Sequence, residues 1–240
     1  MFNSVAIIGS SGGIGSELCN QIKNRYNPDT IVEFSRSGNW NLNDSIKIVM
    51  DICDESSINL AIDQLPDGLE FDLIFIATGR LHSIDHEILP EKSITQLNKN
   101  NMMETILINA IGPSLVAKAL IPRLKKDQKS ILAFLSARVG SISDNRLGGW
   151  YSYRSAKTAL NMMIKSMSIE VNRRNKHAII LGVHPGTVDT NLSKPFQKNI
   201  KPEKIFSPEF SVSKILEVLN LVDVNQSGQI FAWDGTVIAP

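Results

Sequence analysis

Residues 5–15 read VAIIGSSGGIG, an apolar run that ends in a cluster of glycines. Such a run, followed at once by a helical pattern, predicts a strand, a tight turn and a helix. Glycine lacks a Cβ, so the backbone amides of the turn can approach a pyrophosphate, and the helix N terminus adds partial positive charge. The spacing is G-x-x-x-G-x-G, without the GK[ST] of a P-loop. We therefore expect a dinucleotide site that involves Gly9, Ser11, Gly13, Ile14 and Gly15.

Apolar runs of strand length alternate with helical patterns along the rest of the chain. Several runs are apolar at every residue, which is typical of strands covered by helices on both faces. The alternation predicts a doubly wound parallel α/β sheet of the Rossmann type, in three α/β/α layers, with residues 1–240 as a single domain. The expected strands are 5–9, 30–35, 46–50, 73–77, 131–136, 178–183 and 229–232. The expected helices are 13–25, 56–64, 102–125, 151–173 and 208–221.

The composition argues against several classes of protein. There are 25 Lys and Arg residues against 24 Asp and Glu, so the net charge of +1 gives no general attraction to nucleic acid or to an anionic membrane. Cys19 and Cys53 are too few for a disulfide framework, and no Cys or His spacing indicates a metal site. The first residues lack the pattern of a signal peptide, and we expect no membrane-spanning helix. These features predict a cytoplasmic protein with reduced thiols.

Residues 187–207 form a long segment without clear periodicity. The segment contains Pro195 and Pro202 together with several lysines. Loops of this length are usually functional or disordered, and this one follows the carboxyl end of an expected strand, where ligands bind in open α/β sheets. We interpret it as a loop that closes over a substrate.

The end of the second expected strand bears on which dinucleotide binds. A carboxylate there bonds the ribose 2′-hydroxyl of NAD and repels a 2′-phosphate. Ser35 stands at that position, and Arg36 beside it can grip a phosphate through two parallel hydrogen bonds. Glu33 lies in mid-strand, where we do not expect its side chain to reach the ribose. Arg36 as a solvated surface charge is the alternative, and we favour NADP(H) over NAD(H).

Tyr153 and Lys157 lie four residues apart at the start of an expected helix, so they share one helix face. An unperturbed tyrosine has a pKa near ~10, too high for efficient proton transfer at neutral pH. A nearby ammonium group favours the phenolate and is expected to lower that pKa. Taken alone, such a pair also occurs by chance on protein surfaces.

Together these motifs resemble those of the short-chain dehydrogenase/reductase family along nearly the whole chain. Residues 8–15 are similar to its TGxxxGIG turn, with Ile8 in place of the threonine. Tyr153 and Lys157 match its YxxxK, and Asn109 resembles the helical asparagine of its active-site tetrad. Residues that match its other cofactor-contacting segments are Asp51, Ile52, Ala77, Thr78, Gly79, Pro185, Gly186, Val188 and Thr190, with Tyr153 and Lys157 again counted as cofactor contacts.

The catalytic serine of the family has three candidates in this chain. Ser136 lies 17 residues before Tyr153, farther than in the family pattern, whereas Ser141 and Ser143 lie nearer to it. Ser136 lies at the carboxyl end of its expected strand, where a catalytic group is held rigidly, so we choose Ser136. Residues 136–142 and 148–154 resemble the C-factor and sniffer-like carbonyl reductase branch of the family.

The resemblance implies an oxidoreductase that interconverts a small-molecule carbonyl and an alcohol by hydride transfer with NADP(H). It implies that Tyr153 exchanges the proton, that Lys157 lowers the tyrosine pKa and binds the nicotinamide ribose, and that Ser136 polarises the carbonyl. It further implies that Asn109 holds a water between Lys157 and solvent. A homodimer or homotetramer is expected through the helices at 102–125 and 151–173.

The sequence also leaves two other classes of function to consider, and it gives an expectation for three histidines. The main alternative is a nucleotide-binding sensor or signalling protein that keeps the fold without turnover. A methyltransferase on a related sheet would need neither YxxxK nor the PGxVxT of residues 185–190. We expect His82 and His86 to be exposed, and His184 to make a structural hydrogen bond.

Overall fold

The structure is a computed structural model that describes residues 2–83 and 88–240. Within these residues the strands are β1 (Ser4–Ile8), β2 (Thr30–Ser35), β3 (Ile46–Val49), β4 (Leu73–Ile76), β5 (Ser130–Leu135), β6 (Ala178–His184), β7 (Thr187–Val188), β8 (Ile205–Phe206) and β9 (Ile230–Ala232). Seven of them form a parallel sheet in the order β3-β2-β1-β4-β5-β6-β9. The predicted doubly wound sheet is confirmed, with every predicted strand correct to within one residue at each end.

The α-helices of the described chain are α1 (Gly13–Tyr26), α2 (Glu55–Asp63), α3 (Lys99–Ile106), α4 (Gly112–Leu120), α5 (Tyr151–Val171) and α6 (Pro208–Leu221). The expectation of one helix over 102–125 is wrong. Asn98 caps an earlier start, and a π-helical turn, Leu107–Ile111, separates α3 from α4. Pro113 has no N–H to donate to the carbonyl of residue 109, so a regular α-helix cannot run through this point.

Helices cover both faces of the sheet because successive residues of each strand point to opposite sides. On one face, α1 and α6 pack their apolar residues against Val5, Ile7 and the matching side chains of β4, β5 and β6. On the other face, α2, α4 and α5 pack against Ala6, Ile8 and the alternate residues of the same strands. All five residues of β1 and all four of β4 are buried, which explains why their sequences carry no polar alternation.

The strand order reverses between β1 and β4, which are neighbours in the sheet although β2 and β3 separate them in sequence. In open α/β sheets the crevice at such a switch point, beyond the carboxyl ends of the strands, is where ligands bind. The glycine-rich turn leaves β1 at this edge, and the segment 77–83 leaves β4 beside it.

One expectation about an individual segment needs correction. Residues 187–207 are not irregular throughout, because β7 pairs with β8 and short 3₁₀ helices, Lys194–Asn199 and Pro202–Lys204, lie between them. Elements of two to six residues are too short to show as a hydrophobic period. The helical segment Lys99–Arg123 is also long and apolar enough to span a membrane by length and composition. In this structure it covers the sheet, and Val116, Ala117 and Leu120 belong to the core.

Candidate active site

The glycine-rich turn is held by the neighbouring strand and has little space for side chains. The backbone N–H groups of Gly9 and Ser10 donate to Phe34 O at 2.8 and 3.1 Å, and Gly9 has a φ of +80°, which favours glycine. A Cβ on Gly15 would lie 2.1 Å from Gly9 O, and one on Gly13 would lie 2.7 Å from Thr190 Cγ2. These glycines let α1 begin directly against the turn.

A first cavity of about 340 Å³ opens beside this turn at the switch point. The predicted residues Gly9, Ser11, Arg36, Asp51, Ile52, Ala77, Thr78 and Gly79 all line it. Gly13, Gly15 and Asn109 are not among its lining residues. Ser35 is buried and donates to Ser11 Oγ at 3.0 Å, so the end of β2 presents hydroxyl groups and the exposed Arg36 to the cavity.

Asn41 lies in the loop after β2 and links this loop to the glycine-rich turn through hydrogen bonds. Its Nδ2 donates to Ser10 O at 2.9 Å, and its Oδ1 accepts from Ser16 Oγ at 2.6 Å. The same side chain donates to Glu33 Oε2 at 2.7 Å. Burial raises the pKa of Glu33, but hydrogen bonds from Ser45, Asn41 and the Leu42 amide outweigh it and hold the pKa below its usual value. The carboxylate therefore faces this loop rather than the cavity.

A second cavity of about 210 Å³ adjoins the first through Ala77, Thr78 and Gly79, which line both. Its polar walls include Ser136, Tyr153 and Lys157, which are all buried. Five further residues that the sequence predicts to contact the cofactor also line it, namely Ile14, Pro185, Gly186, Val188 and Thr190. Its apolar walls come mainly from loops, with Leu81, Val139, Trp150, Leu192, Phe196 and Ile200. Residues from five separate parts of the sequence thus meet in one chamber.

Tyr153 and Lys157 face each other at the start of α5. Lys157 Nζ lies 5.8 Å from the centroid of the Tyr153 ring and donates to Leu135 O at 2.9 Å. Burial lowers the pKa of Lys157 to about 8. Burial also raises the pKa of Tyr153 above its usual value, so the expected net lowering of this pKa is not found in the structure. Desolvation disfavours both charged forms, and the phenol keeps its proton at neutral pH.

Asn109 lies in the π-helical turn and is fully buried behind the second cavity. Its Nδ2 donates to Arg80 O at 2.8 Å and to Thr105 O at 2.9 Å, and its Oδ1 accepts from Arg80 N at 3.0 Å. A Cβ on Gly79 would lie 3.2 Å from Asn109 Oδ1 and 3.5 Å from Lys157 Nζ, so the three groups are close neighbours. The asparagine fixes the segment after β4 that separates the two cavities.

The three candidate serines occupy different surroundings. Ser136 lines the second cavity and donates to Asn161 Oδ1 at 2.6 Å. Ser141 and Ser143 both donate to Pro240 O, at 3.4 and 2.5 Å, and are not among the residues lining the second cavity. Among the three, Ser136 is the serine that the structure brings to Tyr153.

Aromatic contacts close the outer end of the second cavity. The Phe196 ring lies 5.3 Å from Trp150 and 5.6 Å from His82, measured between ring centroids, with edge-to-face geometry. A His82 ring nitrogen lies 3.0 Å from Asn191 O, and Trp150 lies 6.3 Å from the Tyr153 ring. The segment 187–207 is thereby packed against both neighbouring loops. His86 lies outside the described residues.

The start of α5 depends on Glu91, which sequence reasoning missed. Trp150, the residue before the helix, has a φ of +50° and provides no side-chain cap. The buried Glu91, which belongs to a loop distant in sequence, caps the helix instead. Its carboxylate accepts hydrogen bonds from Ser152 N at 3.1 Å and from Ser152 Oγ. Its backbone carbonyl accepts from Trp150 N at 2.5 Å. A carboxylate at a helix N terminus is favourable for the helix dipole. No local sequence signal indicates this contact.

Two buried polar atoms near the cavities have no hydrogen-bond partner among the described residues. Thr78 Oγ1 stands between the two cavities, where a ligand hydroxyl or amide could bond to it. His184 Nδ1 is the other, and the expected structural hydrogen bond is not found at this atom. Burial and then the charge of Arg138 lower the pKa of His184 to about 4 against the opposite effect of Asp234, so the imidazole is neutral.

Comparison with known proteins agrees with this fold. Residues 3–201 match the family described as short chain dehydrogenase. The chain is 33% identical over 138 residues to the C-signal protein of Myxococcus xanthus, a stretch that covers 58% of this chain and 78% of that protein.

The solved structures with the same fold include two carbonyl reductases. One is the NADPH-bound carbonyl reductase from chicken fatty liver, with a TM-score of 0.85, 22% identity and coverage of 99% of this chain and 94% of that one. The other is carbonyl reductase Sniffer of Drosophila melanogaster, with a TM-score of 0.86, 21% identity and full coverage of both chains. The family match spans most of the sequence and the fold agrees along its whole length. The protein is therefore an oxidoreductase of the short chain dehydrogenase family.

Proposed function

We propose that the protein reduces a carbonyl group of a small molecule to an alcohol, or runs the reverse oxidation, with a nicotinamide cofactor. The observation that carries the proposal is the meeting of Ser136, Tyr153 and Lys157 in one largely apolar cavity. This is the second cavity, and it adjoins the first cavity, whose wall includes the glycine-rich turn at the start of α1. The cavity with the backbone amides of the turn is suited to a dinucleotide, and the adjoining cavity with a proton donor is suited to the substrate.

The first cavity fits the dinucleotide part of such a cofactor. The close contacts at Gly9, Gly13 and Gly15 allow α1 to begin at the turn, and the N terminus of this helix favours an anion such as a pyrophosphate. Asp51 and Ile52 line its far wall. The unpartnered Thr78 Oγ1 and the segment Pro185–Thr190 would hold the nicotinamide end between the two cavities. When bound, the cofactor supplies the hydride that is added to the carbonyl carbon.

The side chains of the second cavity would donate the proton and would stabilise the negative charge that develops on the substrate oxygen. Tyr153 keeps its proton because it is buried, and it delivers this proton to the oxygen as the alcohol forms. Ser136 provides a second hydrogen bond to the same oxygen. Lys157 has a pKa of about 8, so it is largely charged at neutral pH and its field favours the tyrosinate that remains.

We also propose that the cofactor is NADP(H) rather than NAD(H). Where a carboxylate would bond the 2′-hydroxyl of NAD, β2 ends in the buried Ser35, which bonds Ser11. The exposed Arg36 lines the same cavity, and it forms no ion pair with any other described residue. The one nearby carboxylate of β2, Glu33, is held by Asn41 and faces away. At the end of β2 a 2′-phosphate would therefore meet a cation and hydroxyl groups rather than a carboxylate.

A homodimer or homotetramer through the helical segments 102–125 and 151–173 belongs to the same proposal. Exposed apolar residues on these two segments support it, namely Met103, Ile111, Met162, Met163 and Ile169. Exposed large apolar side chains on helices are favourable at a contact between subunits.

The reaction is tested by following NADPH absorbance with a panel of aldehydes and ketones. Tyr153→Phe is expected to lower turnover about a thousandfold or more, because the proton donor is lost, while the Kd of NADPH stays within about twofold. Tyr151→Phe is the matched control, since it removes a phenolic hydroxyl from the same helix outside the cavity, and it is expected to behave as the wild type.

Two results would contradict the proposal. Turnover by Tyr153→Phe at the rate of Tyr151→Phe would show that the phenol does not act as the acid. A wild-type protein that binds NADPH and reduces no member of the panel would favour the sensor or signalling alternative.

A further inference from the structure

Helix α5 carries a second polar contact to the end of β5, one turn beyond Lys157. Lys157 Nζ donates to Leu135 O at 2.9 Å. Asn161, four residues later on the same helix face, has its Oδ1 2.6 Å from Ser136 Oγ. Two side chains of one helix therefore hold two consecutive residues of one strand end.

Ser136 has little freedom in this arrangement. Its backbone N–H donates to Val183 O at 2.8 Å, and only 3% of the residue is exposed. Glycines bring the neighbouring backbone close, since a Cβ on Gly182 would lie 3.2 Å from Ser136 Cβ and one on Gly140 would lie 2.9 Å from Asn161 Nδ2. The hydroxyl and the amide are therefore packed together, with Ser136 at the wall of the second cavity.

A serine hydroxyl has a single proton to donate, and its direction decides what Ser136 can do. In this structure the hydroxyl donates to Asn161 Oδ1, so the proton points away from a substrate oxygen. If the amide turns by half a rotation about its last torsion angle, Nδ2 takes the place of Oδ1 and donates to Ser136 Oγ. The serine proton is then free to bond a carbonyl oxygen, and no covalent bond changes.

We infer that Asn161 is the positioning residue for Ser136: it fixes the hydroxyl at the cavity wall and, by turning its amide, releases the serine proton to the substrate oxygen. The inference rests on the proposed carbonyl reduction. An amide suits this role because it has both a donor and an acceptor at nearly the same place. A carboxylate of the same shape can only accept, and would keep the serine proton.

The test is a double-mutant cycle on the full-length protein, read as the single-turnover rate of NADPH oxidation with a carbonyl that the wild type reduces. Asn161→Ala is expected to lower this rate about tenfold, and Asn161→Asp at least as much, because a carboxylate retains the proton of Ser136. Ser136→Ala combined with Asn161→Ala is expected to match Ser136→Ala alone, because Asn161 acts through the serine.

The controls separate positioning from folding. Ser166→Ala removes a hydroxyl from an exposed site on the same helix and is expected to leave the rate unchanged. The NADPH Kd and the melting temperature of Asn161→Asp, which keeps the side-chain shape, are expected to stay near the wild-type values. The role of Asn161 would be overturned, with the reaction itself unaffected, by either of two results. One is a double variant in which the rate losses of the two single variants add, and the other is an Asn161→Asp protein with the wild-type rate. A wild type without carbonyl reduction would overturn the proposed function, and the inference with it.

Discussion

The first and second cavities meet at Ala77, Thr78 and Gly79, but they are built in different ways. The first lies at the ends of β1, β2, β3 and β4, beside a turn whose Gly9, Gly13 and Gly15 have no room for a Cβ. The second is formed largely by α5 and by loops, and ring contacts link its lining residues Phe196 and Trp150 to each other and Phe196 to His82. Backbone geometry at sheet ends is rigid, whereas loop side chains can change one at a time. The two cavities should therefore respond differently to substitution.

The largest expected effect is on the first cavity. In Gly15→Ala the new Cβ would lie 2.1 Å from Gly9 O, so the backbone of the turn has to move. We expect the NADPH Kd to rise about 100-fold, which corresponds to about 3 kcal/mol, and the melting temperature to fall. Fluorescence titration and thermal melting measure both.

Gly12→Ala is the matched control, because its Cβ would meet Gly9 O at 3.4 Å, an ordinary contact. Its NADPH affinity is expected to stay within about threefold of the wild type. Equal affinities for the Gly12 and Gly15 variants would mean that the turn is not the rigid wall described above.

A smaller effect is expected at the rim of the first cavity, where Arg36 is exposed. Arg36→Ala is expected to raise the KM for NADPH about 20-fold and to leave the KM for NADH nearly unchanged, because a charge-assisted pair with the 2′-phosphate is lost. The ratio of kcat/KM for the two cofactors measures the change. Arg174→Ala, an exposed arginine of the loop after α5, controls for net charge. An unchanged ratio would make Arg36 a solvated surface charge.

The contrast between the cavities also explains what could be predicted from sequence. Gly9, Gly13 and Gly15 are indicated by local rules, because a strand, a turn and a helix that adjoin in sequence must meet within a few residues. Asn161 could have been found by the same i,i+4 spacing that relates Tyr153 to Lys157.

Other contacts have no local signal. Glu91 reaches Ser152 across 61 residues, so neither residue's neighbours indicate that it caps α5. The pKa of Tyr153 depends on how completely the cavity is closed, and spacing along a helix carries no information about burial.

The smallest expected effect is at the outer end of the second cavity. Phe196→Ala removes ring contacts with Trp150 and His82, and we expect the KM of an apolar carbonyl to rise about fivefold, since such ring pairs contribute about 1 kcal/mol beyond their buried area. The NADPH Kd should not change, because Phe196 does not line the first cavity. Lys198→Ala, an exposed residue of the same 3₁₀ helix, is the control. A matching rise in the NADPH Kd would show that the loop and the glycine-rich turn move as one unit, and the two cavities would then be parts of a single closing site.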